Sequence, residues 1–281
     1  MAAQHLRWRP APAVRPYADW YTGYDQRGMP PGRHRGLPSP YLTLIVTLWE
    51  PLRIAAHPDP AAPAGSYETL VGGLHTTPAI VAAGGAGIQV ALSPLGARAL
   101  LGLPAGELAG RDLDAGCVLG PLAAELRERV CLTTGWAERF RIVDEVLTRR
   151  ADPACAPAPE VTFAWRRLCA TGGTVGPAEL AGETGWSARY LSRRFGIEIG
   201  LSPKVAARVT RFDRARRRLQ DSGGRYPLAE LAVACGYYDQ AHLTREFSAL
   251  AGVPPARWWA EEFRNVQAPV DLAGAGSADD R

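Results

Sequence analysis

Two stretches in the second half of the chain carry side chains that suit hydrogen bonding to DNA bases. They run over residues 187–195 and 239–247, and each begins with a residue that favours the N-cap of a helix, Ser187 or Asp239. The helical spacing of the apolar residues leaves arginine, glutamine, serine and threonine on the opposite face. Arginine pairs well with guanine and glutamine with adenine in the major groove. Each stretch is therefore predicted to be a helix with one polar, base-reading face.

The two stretches are near copies of each other. In both, a leucine follows the cap by four residues, an arginine by six and a phenylalanine by eight. A shorter helical pattern precedes each copy, over residues 178–184 and 228–235, and a glycine separates the pair, Gly185 or Gly236. This order predicts two helix-turn-helix units. An α-helical bundle with a solvated basic face would explain the amphipathic pattern, but not the repeated spacing.

Residues 202–222 lie between the two units and are predicted to form one long helix. Ser202 is in the N-cap position and Pro203 in the first turn, where proline is favoured. About 20 helical residues span roughly 30 Å, close to the roughly 34 Å between successive major-groove faces on one side of DNA. The segment would hold both recognition helices one turn of DNA apart. Its apolar stripe consists of Val205, Val209, Phe212 and Leu219.

Residues 160–265 resemble the seven-helix DNA-binding domain of AraC/XylS-type transcriptional regulators. The matching positions are Leu180-Ala181, Ser187 to Phe195, Gly200 to Pro203, Arg211, Ala215, Leu219, Gly236-Tyr237, Phe247 and Gly252 to Pro255. The resemblance implies a sequence-specific DNA-binding regulator that acts on double-stranded DNA with RNA polymerase as a partner. It does not imply an enzyme or a cofactor.

The resemblance also implies which side chains face the bases. Arg189 stands where an aromatic residue is frequent in the family, so the preferred bases cannot be carried over. The implied DNA-binding positions are Ser187, Arg189, Ser192, Arg193, Gln240, His242, Thr244 and Arg245.

The composition fits a two-domain protein of 281 residues, with 47% apolar and 21% charged side chains. The chain has no apolar run as long as a membrane span and no signal-peptide pattern at its start, so a cytoplasmic location is expected. Residues 160–265 carry 16 Lys and Arg against 11 Asp and Glu, whereas the rest carries 16 against 17. The positive charge is thus concentrated where the DNA-binding pattern lies.

Residues 1–150 are predicted to form a sensor or dimerisation domain built on a small β-barrel. Such a barrel, or a β-sandwich, is favoured by the β-branched run 41–49, a hairpin partner at 52–56 and further short runs at 67–74, 79–83 and 87–92, which glycine and proline separate. The arrangement resembles, more weakly, the cupin-like sensor domains of ligand-responsive AraC/XylS members. The whole chain is therefore expected to be α+β, with a small-molecule effector bound by the N-terminal domain. The candidate ligand-binding residues are His34 and His75.

Histidines and cysteines in this chain do not form a metal-binding pattern. His34 and His75 stand alone, and no Cys-x-x-Cys pair occurs among the five cysteines, so no metal is assigned. The cysteines are expected to be buried free thiols. A DNA-repair enzyme that uses a cysteine is the least favoured alternative, because neither Cys117 nor Cys131 has a histidine and a glutamate beside it in sequence.

Three further segments complete the predicted organisation. Residues 120–150 form a helical hairpin with more apolar positions than its own packing needs, which favours a homodimer contact over packing on the barrel of the same chain. Residues 151–159, rich in proline and alanine, form a semi-stiff linker. Residues 266–281 form a disordered tail. The alternative to effector control is a ligand-independent regulator, in which the N-terminal domain provides only stability or a protein contact.

Overall fold

The computed structural model describes residues 4–28, 32–262 and 270–271. Within these ranges strands predominate in the first part of the chain and helices in the second, and a short strand follows the last helix. The strands are β1 Gln4–Trp8, β2 Ala18–Asp25, β3 Gly32–Gly36, β4 Leu42–Thr47, β5 Leu52–Ala56, β6 Gly65–Tyr67, β7 Thr69–Gly72, β8 Ala79–Ala83, β9 Ala86–Leu92, β10 Asp112–Asp114 and β11 Val270–Asp271. The helices are α1 Ala97–Leu101, α2 Gly116–Leu119, α3 Pro121–Cys131, α4 Trp136–Arg150, α5 Pro159–Ala170, α6 Pro177–Thr184, α7 Ala188–Ile199, α8 Pro203–Asp221, α9 Leu228–Ala234, α10 Gln240–Ala251 and α11 Pro255–Glu262.

The β-strands in the described residues form two sheets. The larger sheet has the order β10-β7-β4-β9-β2-β1-β11 and the smaller one the order β3-β8-β5-β6. All neighbouring strands are antiparallel except β1 and β11. The predicted α+β class is confirmed. A single closed barrel is not confirmed, because the described strands divide between two sheets.

The sequence located β4, β5, β8 and β9 but assigned one pairing wrongly. β5 pairs with β6 and β8 in the small sheet, whereas β4 pairs with β7 and β9 in the large one. The predicted β4–β5 hairpin is therefore wrong. Alternation of apolar residues shows that a segment is a strand, but it does not show which neighbour lies beside it.

Aromatic residues near the N-terminus, on β1 and β2 of the large sheet, pack against helix α4. Trp8 stacks on Phe140 with ring centroids 5.4 Å apart, and Tyr21 lies 6.1 Å from the same ring. The Tyr21 hydroxyl donates to Asp144 at 2.8 Å. Strands β1 and β2 thereby join helix α4 to the sheet.

The helical hairpin of α3 and α4 is confirmed, but its apolar stripe lies inside the chain's own core. The stripe packs with Leu42, Leu44 and Val46 of β4. The prediction that it forms a homodimer contact is wrong, because the sheet already covers these side chains. The buried stripe residues are Leu119, Leu126, Val130, Phe140, Val143, Val146 and Leu147.

The C-terminal helices surround two apolar clusters. One is centred on Phe195 of α7, near Trp165 at 6.1 Å, and the other on Phe247 of α10, near Phe212 of α8 at 4.9 Å. Leu74, from the loop after β7, is buried in the first cluster. The helical region therefore shares part of its core with the β-rich region.

Other predictions have mixed outcomes. All five cysteines are free thiols, but Cys235 alone is buried, whereas Cys117, Cys155 and Cys169 are exposed and Cys131 is half-buried. The prediction of buried thiols is wrong for these four. Residues 151–158 form neither helix nor strand. The predicted disordered tail, residues 266–281, lies outside the described residues except for β11. No helix in the described ranges is long and apolar enough to cross a membrane.

Candidate nucleic-acid interface

Helices α6 and α7 form the first helix-turn-helix unit, and α9 and α10 form the second. The Ser187 hydroxyl accepts from the Tyr190 N–H at 3.3 Å at the start of α7. The Asp239 carboxylate accepts from the His242 N–H at 2.6 Å at the start of α10. Such caps stabilise a helix by about 1 kcal/mol, and here they fix where each recognition helix begins.

The predicted polar faces of α7 and α10 lie at the surface. On the opposite face, Leu191 and Phe195 of α7 and Leu243 and Phe247 of α10 are buried. Tyr190 of α7 also lies at the surface, where it is 47% exposed and its ring meets Trp186 edge-on at 4.8 Å. Among the predicted DNA-binding residues, Ser187, Arg189, Arg193, Gln240 and Arg245 are exposed, and Ser192, His242 and Thr244 are half-buried.

His242 has a different environment from the other predicted base-facing residues. Its Nδ1 atom accepts from the Tyr238 N–H at 3.3 Å, and its Nε2 atom lies 3.6 Å from a Glu246 oxygen. Its ring also meets the Tyr237 ring edge-on, at 5.3 Å. The His242 side chain therefore stabilises the turn before α10. A contact between His242 and a base would require the ring to give up these partners.

Glu246 holds the second recognition helix to the long central helix. Its carboxylate accepts from Arg208 at 2.9 Å and from Arg211 at 3.3 Å. Arg211 also donates to the Gly173 carbonyl at 2.7 Å. Because Glu246 is largely buried, these two guanidinium groups supply the partners that its charge requires. Helix α8 therefore contacts α10 through ion pairs as well as through apolar packing.

Glu198 has the corresponding role in the first recognition helix, but its partner comes from the β-rich region. The Arg98 guanidinium of α1 donates to both Glu198 oxygens, at 2.7 and 3.0 Å. Glu198 is only 3% exposed, and the hydrogen bond to it raises the pKa of Arg98.

A close backbone contact lies beside this ion pair. A Cβ atom placed on Gly106 would stand 2.3 Å from the Ile197 carbonyl oxygen and 2.8 Å from that of Gly196. Gly106 belongs to the 3-10 turn Ala105–Leu108. The absence of a side chain at Gly106 therefore lets the β-rich region touch the C-terminal end of α7.

No role in the site was predicted from the sequence for Glu198, Glu246 or Arg98. Glu198 lies three residues after buried Phe195, and Glu246 three after buried Leu243, so both carboxylates fall on the apolar side of an amphipathic helix. A charge in such a position needs a buried partner, so the sequence could have predicted an ion pair for each of these glutamates. The partner of Glu198 could not be named, because it lies 100 residues away.

The arginines of the central helix do not all face solvent. Arg216 and Arg217 donate to the two oxygens of Asp213 at 2.6 and 2.7 Å. The Arg217 guanidinium also lies over the Trp20 ring, 4.4 Å from its centroid. Arg216 and Arg217 are therefore engaged within the chain, and Arg217 also connects α8 to the β-rich region.

The two candidate ligand-binding histidines lie apart. His34 is on β3, where burial lowers its pKa and the nearby His5 lowers it further. The His75 Nδ1 atom contacts the Thr77 carbonyl at 2.6 Å, and burial lowers the pKa of this histidine also. His75 lines a cavity of about 260 Å³ with Arg111 and Leu201. In the described part of the chain, no group of three or more potential metal ligands converges.

A larger cavity of about 530 Å³ lies between the β-rich and helical regions. Trp20 and Tyr41 line it from one side, and Trp165, Arg214 and Arg217 from the other. Its volume is in the range of small-molecule sites. Neither predicted histidine contributes to it.

Several solved structures resemble the fold. The C-terminal domain of AraT, a response regulator from Geobacillus stearothermophilus, is 23% identical over 42% of this chain and 95% of its own, with a TM-score of 0.35. The DNA-binding domain of AdpA, a global transcriptional factor in complex with a target DNA, is 23% identical over 37% of this chain and 92% of its own, with a TM-score of 0.34. Unsaturated fatty acid bound ToxT from Vibrio cholerae is 7% identical over 95% of this chain and 97% of its own, with a TM-score of 0.49. No curated protein sequence matches the chain.

A family model gives the remaining comparison. Residues 180–261 match the model described as a helix-turn-helix domain, HTH_18. The matched segment contains both capped recognition helices and the whole of α8. Domains of this kind bind DNA in transcription regulators. The helical region of this chain therefore contains an AraC-type helix-turn-helix domain, a DNA-binding fold.

Proposed function

We propose that the protein binds specific DNA sites by placing α7 and α10 in two adjacent major-groove segments. The observation that carries this proposal is the pair of capped helices with exposed polar faces, joined by one uninterrupted helix of 19 residues. At about 1.5 Å per residue, α8 is roughly 28 Å long, which suits two contacts on one side of the duplex. The direct base contacts are assigned to Arg189, Ser192, Arg193, Gln240, Thr244 and Arg245, and Ser187 is assigned to the DNA backbone.

We further propose a division into a control domain, residues 1–150, and a DNA-binding domain, residues 160–265, joined by residues 151–159. Three contacts support a mechanical connection between them. The Arg98–Glu198 pair and the Gly106 contact hold α7, and Arg35 on β3 binds Glu261 on α11 at 2.6 Å. A change in the β-rich region would therefore move the first recognition helix.

A small-molecule effector is the signal that we propose for this change. The cavity between Trp20 and Trp165 is lined by both regions, so a molecule bound there would favour one placement of the helices over another. The proposed effector site is therefore this cavity between the β-rich and helical regions, in place of His34 and His75. As a transcription regulator, the protein would act with RNA polymerase as a partner at its promoter.

A genome-wide footprint of the full-length protein tests the DNA-reading proposal. Protection of two major-groove segments about one helical turn apart is expected at each site. Protection of a single short segment would contradict the use of both recognition helices.

Binding with and without a deproteinised cell extract tests effector control. A shift in operator affinity that disappears when Trp20 is replaced by alanine would support the cavity. Identical binding under all these conditions would favour the ligand-independent regulator.

A further inference from the structure

The turn of the second helix-turn-helix unit is one residue longer than that of the first. Gly185 and Gly236 both adopt a left-handed conformation, with φ of +71° and +78°. In the first unit one residue separates this glycine from the N-cap Ser187, whereas in the second unit two residues separate it from Asp239. The additional residue is Tyr238.

The neighbouring aromatic residue, Tyr237, occupies the interior position that this turn provides. It is 4% exposed and packs with Phe212 and Phe247, whereas Tyr238 is 90% exposed. An exposed tyrosine ring is therefore placed immediately before α10.

The backbone of Tyr238 is well fixed, although its side chain is in solvent. Its N–H donates to His242 Nδ1 at 3.3 Å, and the next residue, Asp239, caps the helix by accepting from the His242 N–H. Two residues beyond Tyr238 lies Gln240, the first exposed residue of α10 on the proposed base-reading face. The Tyr238 ring therefore lies next to the proposed base-reading face, beyond the N-terminus of α10.

We propose that Tyr238 contacts the DNA backbone at the edge of the groove that α10 enters, with its hydroxyl donating to a phosphate oxygen and its ring against the adjoining deoxyribose. This inference rests on the proposed DNA-reading function. Residues in the first turn of a recognition helix reach base edges, whereas Tyr238 precedes the N-cap Asp239 and so lies outside that helix. Tyrosine hydroxyls are among the groups that make such backbone contacts, which fix register on the duplex and carry no sequence information.

The chemistry of this contact differs from that of the neighbouring arginines. Tyr238 is neutral, so its contact with phosphate releases no counterion and adds nothing to the salt dependence of binding. A contact with the backbone also stabilises specific and non-specific complexes alike. These two properties separate it from a base contact and from a cationic phosphate contact.

Tyr238→Ala and Tyr238→Phe test the inference, with Val233→Ala as the matched control. Val233 is an exposed apolar residue of the same unit, 74% exposed on α9. Affinities of the full-length variants are measured by fluorescence anisotropy on a footprinted operator and on a scrambled duplex, across a salt series.

Tyr238→Ala is expected to weaken binding to both duplexes by a similar factor, about three- to tenfold, with the wild-type salt slope. Tyr238→Phe should lose part of this affinity, because it retains the ring, and Val233→Ala should bind as wild type. Since Tyr238 is exposed, thermal unfolding of all variants should match that of the wild type.

Three results would overturn the inference. Wild-type affinity of Tyr238→Ala would show that the ring does not touch DNA, and a loss confined to the operator would make it a base contact. Unchanged DNA binding with reduced transcription in a purified RNA polymerase reaction would assign the ring to a protein partner. If the wild-type protein footprints DNA and Tyr238→Ala binds equally well, the inference alone fails. If the wild type footprints no DNA, the proposed function fails with it.

Discussion

Arg98 of the β-rich region and Glu198 of the first recognition helix form a two-bond ion pair, with N–O distances of 2.7 and 3.0 Å. The second recognition helix has a corresponding, half-buried glutamate, Glu246, but its arginines come from the central helix. The two helices are therefore held by different parts of the molecule. Under the proposed effector control, a signal in the β-rich region would act directly on α7 through this ion pair.

Arg98→Ala is expected to loosen α7 and lower the free energy of unfolding. It leaves the buried Glu198 carboxylate without its partner, which costs 3–5 kcal/mol in fully buried pairs; because Arg98 is itself partly exposed, about 1–3 kcal/mol is expected here. Denaturant titration measures this change, and hydrogen exchange of the α7 amides shows where it acts. The charge-conserving Arg98→Lys retains attraction but not the two-bond geometry, so its loss should be smaller. Equal stability of Arg98→Ala and the wild type would mean that solvent already screens the pair.

Gly106→Ala is expected to separate the β-rich region from the end of α7. The added Cβ atom would meet the Ile197 carbonyl oxygen at 2.3 Å, and a backbone atom cannot rotate away as a side chain does. The melting temperature should fall, and α7 should exchange faster than α10. Gly135→Ala is the control, because Gly135 has a negative φ and an open surrounding. Similar effects of the two substitutions would contradict a specific role for the Gly106 contact.

The sequence predicted the helical region in more detail than the β-rich region, for physical reasons. Caps such as Ser187 and Asp239 and the period of Leu191 and Phe195 are local signals, and they located both recognition helices. Strand pairing is not local. The pattern at 52–56 marked a strand, but β8, its neighbour in the sheet, lies some 25 residues further along the chain. Long-range partners were missed in the site for the same reason, as Arg98 and Glu198 illustrate.

The salt dependence of DNA binding should not change when Arg216 and Arg217 are both replaced by glutamine. Both guanidinium groups bind Asp213, and Arg217 also lies against Trp20, so neither is free to displace counterions from DNA. Thermal stability should fall instead, because Asp213 is left buried without a cation. Arg189→Gln is the comparison, since Arg189 is exposed on α7 and assigned to a base, so its loss should lower affinity for the operator more than for a scrambled duplex. A reduced slope in the double variant would place these two arginines on DNA.

Stability is expected to fall as the pH drops below about 6.5, through the histidines of the β-rich region. Burial lowers the pKa of His34, His5 and His75 from the ordinary value of 6.5. Below pH 6.5 the unfolded chain therefore binds more protons than the folded chain. The free energy of unfolding has its full value above pH 6.5 and declines as the pH falls towards the lowered pKa values. His34→Gln should flatten this decline between pH 7 and pH 5 in urea titrations at fixed ionic strength. An identical pH profile for the variant and the wild type would show that His34 contributes nothing to it.

Arg193→Ala is expected to reduce affinity for the footprinted operator by about 1–3 kcal/mol and to relax base preference at one position. Arg193 is exposed on α7 two residues after buried Leu191, so it can extend from the helix without disturbing the core. Competition among operators with single base substitutions measures the preference directly. Arg53→Ala, which removes an exposed arginine on β5, controls for the loss of one positive charge. Equal loss of affinity by Arg193→Ala on every duplex would mean that Arg193 contacts phosphate, and specificity in the first unit would then have to come from Arg189 or Ser192.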